Sequence, residues 1–198
     1  MTHSINLRKF TNDNLISDLH DLVTRERELT TQILHYLKEI EERKLYLEMG
    51  FSSLFAFLTE EMGYSEGAAQ RRIQAMRLIK DIPEIEKKIE SGKISLSVAS
   101  QVQGFIQREN KKRRENKSFK LNKSEKLELI NRLEGTSARK CDEKLAKISP
   151  ETALPKEKTR PITEDKTLIQ FVADKKLMGK IEKLKCLMSH QNTEGGYN

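Results

Sequence analysis

Residues 50–79 read GFSSLFAFLTEEMGYSEGAAQRRIQAMRLI, and the reading of this stretch, Gly50 to Ile79, decides the fold. Apolar residues at helical spacing predict a first helix from Ser52 to Met62. Gly63 and Tyr64 form a turn, and Ser65 is placed to cap a second helix. A short helix, a glycine-bearing turn and a longer basic helix make a helix-turn-helix, expected over residues 52–79.

Drawn as a wheel, the second helix puts Ala68, Ala69, Ile73, Ala75, Met76 and Ile79 on one broad arc. Glu66, Gln70, Arg71, Gln74 and Arg77 fall on the other. Amides and guanidinium groups pair with adenine and guanine edges, so Gln70, Arg71, Gln74 and Arg77 are the candidate contacts to a double-stranded DNA. The competing reading is a solvated face of an ordinary surface helix. Arg72 projects from within the apolar arc and is expected to pair with Glu60 or Glu61.

Charge supports the first reading from another part of the chain. The formal net charge is +7, and residues 107–126 hold nine Lys or Arg against three acids. This local excess supplies nearly all of the total. Lys111, Lys112, Arg113, Arg114 and Lys117 lead the cluster, and such a concentration favours a polyanion by releasing counterions from phosphates. The alternative is a solvated charge run. Phe119, isolated among these cations, is read as an anchor for its loop in preference to a stacking group.

Outward from the helix-turn-helix, the pattern is mainly α. Residues 1–11 are expected to be a flexible N-terminus. Asn12 or Asp13 then caps a long helix to about Leu47, with Leu15, Leu19, Leu22, Leu29, Ile33, Leu37 and Ile40 as its stripe. Such a stripe is an intramolecular seam or a dimer contact. Pro83 ends the second helix near Asp81 and opens another, which Gly92 closes. Ser95, then Asn122 or Ser124, then Thr136 or Ser137 cap three more, completing a helical domain over 12–148. Three of the four prolines lie in 149–161, so 149–165 reads as a linker. Alternation over Thr167–Ala173 predicts one strand and Lys175–Ser189 a last helix, together a strand-helix segment over 166–190. Residues 191–198 are expected to be a flexible tail. A lone strand needs a partner: a second copy, another segment of this chain that carries no strand pattern, or something outside the chain.

Two resemblances attach to these residues. From Leu34 to His190 the chain resembles the N-terminal helical region that precedes the nuclease module in bacterial HNH-endonuclease-type proteins. The features are the Gly50–Ile79 stretch, IPEIEKKIESGKISLSVASQV, the helix pair ending EKLAKISP, and LIQFVADKKLMGKIEKLKCLMSH, in that order. The resemblance implies a targeting region for a metal-dependent endonuclease, with the chain a fragment or a shortened relative. Gly63, Arg77, Leu78, Pro83, Gly92, Lys93, Ile94 and Ser95 are also similar to the helix-turn-helix core of ParB-type partition proteins, which implies DNA binding.

The chemistry of an enzyme is not legible here. His3, His20, His35 and His190 are scattered, with no pair at ligand spacing. Cys186 and His190 are two ligands, too few for a zinc site. No phosphate-cradling glycine loop or nucleophile elbow occurs. The expectation is therefore a DNA-binding helical module with no catalytic, cofactor or metal residues. Its rival is a helical interaction module, dimeric through the first helix or the strand. Two distant cysteines, no export signal and no apolar run of about 18 residues suggest a cytoplasmic protein.

Overall fold

The computed structural model describes residues 7–150 and 158–188, and the chain divides into two compact units, 1–153 and 154–198. The expected tail over 191–198 and most of the expected N-terminal arm lie outside the described residues. Leu7–Lys9 form a 3-10 turn.

Helix α1 spans Asn12–Arg43. Thr11 caps it, accepting the Asn14 N–H on Oγ1 at 3.3 Å, so the cap precedes the predicted Asn12 or Asp13. The helix stops short of Leu47 because Lys44 turns left-handed, with φ 56°. The short α2, Leu45–Glu48, follows. Helix α3 is only Leu54–Ala56 and widens into a π-helical turn over Phe57–Glu61. The Thr59 hydroxyl donates back to the carbonyls of Phe55 and Ala56, at 3.0 and 3.2 Å, competing with the regular ladder. This replaces the regular helix expected over 52–62.

Gly63, at φ +70°, makes the turn, and Ser65 accepts the Ala68 N–H at 3.4 Å to open α4, Glu66–Asp81. Pro83 begins a 3-10 turn that continues into α5, Glu86–Glu90. Gly92, at φ +74°, reverses the chain under the Arg27 guanidinium. Ser95 caps α6, Leu96–Glu115; Asn122 caps α7, Lys123–Leu133; Ser137 caps α8, Ala138–Ile148. Each cap hydroxyl or amide accepts a backbone N–H that the first turn leaves unpaired.

A single apolar cluster holds this unit together, and α4 and α6 are its centre. Four consecutive α4 residues, Ile73, Gln74, Ala75 and Met76, are buried, as are Leu78 and Ile79. The helix is enclosed because α1, α3 and α6 all pack against it. From α6 the cluster takes Val98, Ala99, Val102, Phe105 and Ile106, and from α7 Leu129, Ile130 and Leu133. Of α1 only Thr31, Leu34 and Leu37 are buried. Its N-terminal half contributes nothing to the core.

In the second unit β1, Lys158–Pro161, pairs antiparallel with β2, Thr167–Gln170, and α9 follows over Lys175–Met188. The strand is therefore not alone: its partner is another segment of the same chain, in the stretch read as linker. KTRP carries none of the apolar alternation that announces a strand, and its proline is the last residue before the turn, opposite Thr167.

Candidate nucleic-acid interface

The four predicted reading residues of α4 do not form one face. Gln70 and Arg71 are exposed, in the first turns of the helix. Gln74 is 9% exposed, and its Oε1 has no hydrogen-bond partner among the described residues. Arg77 donates from Nε and Nη2 to Glu41 Oε1, at 3.0 and 2.6 Å, and so joins α4 to α1. The expectation for Gln74 and Arg77 is corrected: Gln74 is buried and Arg77 is engaged by Glu41, so the wet face of the wheel does not continue past Arg71 as a reading surface. Three exposed carboxylates, Glu60, Glu61 and Glu66, also precede Gln70 and Arg71 at this end of the helix.

Arg72 makes no pair with Glu60 or Glu61. Its guanidinium carbon lies 4.3 Å from the centre of the Tyr64 ring, and Nη1 donates to the Ala68 carbonyl at 3.3 Å. A flat cation over the ring's negative face is satisfied without a carboxylate. The residue thus pins the Gly63–Ser65 turn to the helix that follows it.

The basic cluster divides into two sets. One set ties elements together. Arg113 reaches Glu109 at 3.5 Å and Glu125 at 3.1 Å; Lys123 pairs with Glu84 and Lys126 with Asp81. The Asn122 N–H, and then Arg113, hold the Glu125 carboxyl below the ordinary carboxylate range. Arg113 therefore serves the scaffold and is corrected as a phosphate contact, and Lys112, half-buried beside it, is not a freely presented cation either. The second set is Lys111, Arg114, Lys117 and Lys120, all exposed and without an ion pair among the described residues. Glu115 is exposed between them and offsets one charge.

Local geometry explains how these four are displayed. Lys111 and Arg114 are three apart on the last turns of α6, so they share a face. The helix ends with Lys117 in the left-handed region, at φ 54°. The Lys117 N–H donates to the Arg114 carbonyl at 3.1 Å and the Ser118 N–H to the Arg113 carbonyl at 2.7 Å. This pair of bonds is the helix-ending motif that ordinarily takes glycine at the position of Lys117. On the far side, Asn110 Oδ1 accepts the Leu121 N–H at 2.8 Å, and Asn122 and Glu125 close a reciprocal cap. The loop 116–122 is fixed at both ends.

At its tip stands Phe119, 95% exposed. It anchors nothing, contrary to the sequence reading. No pattern in the chain distinguishes it from a core phenylalanine, although its neighbours Ser118 and Lys120 are both polar. Lys120 belongs to the basic stretch but is not among the contacts expected from the sequence, and Phe119 is expected there only as an anchor.

Elsewhere, Cys141 is buried in α8, and burial pushes its thiol up to about 11. No group of three or more metal-ligating side chains lies together among the described residues, and no described helix is long and apolar enough to cross a membrane. Neither protein-family models, nor curated proteins, nor solved structures give a match to the chain.

Proposed function

We propose that the chain is a DNA-binding helical module that grips phosphates through the tip of α6 and the loop after it. Lys111, Arg114, Lys117 and Lys120 supply the charge, and affinity from such contacts is independent of sequence. Phe119 carries the proposal: a solvated phenyl ring among unpaired cations, on a loop braced at both ends, suits a partner with both phosphates and π-faces. The ring stacks on an unstacked base or wedges at a base step. Gln70 and Arg71 remain as a second, smaller contact, which sets what preference there is among sequences. On the resemblance to the region before the HNH nuclease module, this chain is the part that holds DNA for a nuclease.

The test is a titration of labelled intact duplex, gapped duplex and single-stranded DNA, followed by fluorescence anisotropy. The expected order of affinity places gapped and single-stranded DNA above intact duplex. Phe119→Ala should cost the single strand about 5- to 150-fold, the range of one lost base–aromatic stack. Intact duplex should lose less. An unchanged single-strand affinity removes Phe119 from the interface, and no binding of any form at low salt removes the function.

A further inference from the structure

We infer that the N-terminal half of α1 pairs with the same segment of a second copy, antiparallel and in one register. In α1, no residue from Asn12 to Glu28 is buried. Ile16, Leu19, Leu22 and Leu29 are each 58–60% exposed. Leu15, Leu19, Leu22, Glu26 and Leu29 alternate by four and three residues, the spacing of a seam between two helices. Ile16 and Val23 flank that seam on one side, Asp18 and Arg25 on the other. The segment is already helical as the continuation of a helix anchored in the core, so pairing bears no cost of helix nucleation.

The charges select the direction. In a parallel pair Glu26 would face the partner's Glu26 inside the seam. Asp18 would meet the partner's Val23, and Arg25 the partner's Thr30, so neither charge gains a counter-ion. Reversing one helix and setting Leu19 opposite the partner's Leu22 changes all three. Asp18 then faces the partner's Arg25, and symmetry repeats the pair. Ile16 faces the partner's Val23 on the opposite flank. Glu26 moves outward, opposite the partner's Leu15 near the end of the segment. The two-fold axis passes between Leu19 and Leu22, and the surface is self-complementary, as a closed dimer requires.

The experiment uses the full chain and two single charge reversals, Asp18→Arg and Arg25→Asp, in sedimentation equilibrium over a range of concentration. The unaltered chain should show a concentration-dependent dimer. Each reversal alone places like charges at both flanking pairs and should give monomer. Mixing the two variants restores both pairs at once and should give a heterodimer. Leu19→Ser with Leu22→Ser, at exposed positions that leave the core intact, should abolish association without moving the thermal midpoint at low concentration. A chain that stays monomeric throughout, as when another segment or a foreign protein covers the face, overturns the inference. So does a dimer unaffected by the serine pair, or variants that fail to associate on mixing. Nucleic-acid binding plays no part in the readout.

Discussion

Lys117 is the residue where structure and proposed function pull apart. A side chain in the left-handed region costs roughly 1–2 kcal/mol that glycine does not incur, and glycine is what this helix ending ordinarily carries. Lys117→Gly is therefore expected to raise unfolding free energy by about 1 kcal/mol while weakening DNA binding. Chemical denaturation and anisotropy on the same variant check both halves, and a fall in stability or an unchanged affinity contradicts the account. Gln74 gives the opposite case. Its buried Oε1 lacks a partner, a situation that costs about 1–3 kcal/mol. Gln74→Met, similar in length, should stabilise by about 1 kcal/mol and leave DNA binding unchanged. At this scale the sequence was least legible. Gln74 and Phe119 were read by type, an amide as wet and a phenyl as dry, and each lies where its type is rare. Only the neighbours brought by tertiary packing distinguish them.

The elements were far more legible. Ser65, Ser95, Asn122 and Ser137 cap helices as their positions predict, and α4 ends at Asp81 as Pro83 requires. These signals are local and act before any packing. What escaped was tertiary in origin, or resembled a loop: the π-helical widening at Phe57–Glu61, the early end of α1 at Lys44, and the KTRP strand. Between elements, charge carries much of the contact. Glu42 pairs with Lys80 across α1 and α4, Glu84 with Lys123, and Glu134 with Lys88, and each lysine holds its carboxyl below the ordinary value of 4.5. A carboxyl with a depressed folded pKa favours folding above its unfolded pKa and loses that contribution as pH falls through the folded one. The thermal midpoint should thus hold steady above pH 4.5 and decline below it. High salt should shrink the difference, because the Glu42–Lys80 and Glu84–Lys123 pairs are exposed and Glu134–Lys88 is only part-buried. A midpoint that rises on acidification would contradict it.

Across the whole molecule, one unit has a core and carries the proposed contacts. The hairpin and helix of the second have no buried residue among those described. The mainly helical class was legible in the scarcity of glycine and proline and in the spacing of the apolar residues. The proposed place of contact was legible in part. Charge density pointed to Lys111, Arg114 and Lys117 at the tip of α6, while periodicity pointed to α4, where Gln74 is buried and Arg77 is held by Glu41. The central claim is that those cations hold phosphates, and the slope of log affinity against log salt measures it most directly. Four phosphate contacts on duplex DNA predict a slope of about −3.6. Replacing Lys111, Arg114, Lys117 and Lys120 together by alanine should bring it close to that of a chain without a site. A slope unchanged by the four substitutions would contradict the account.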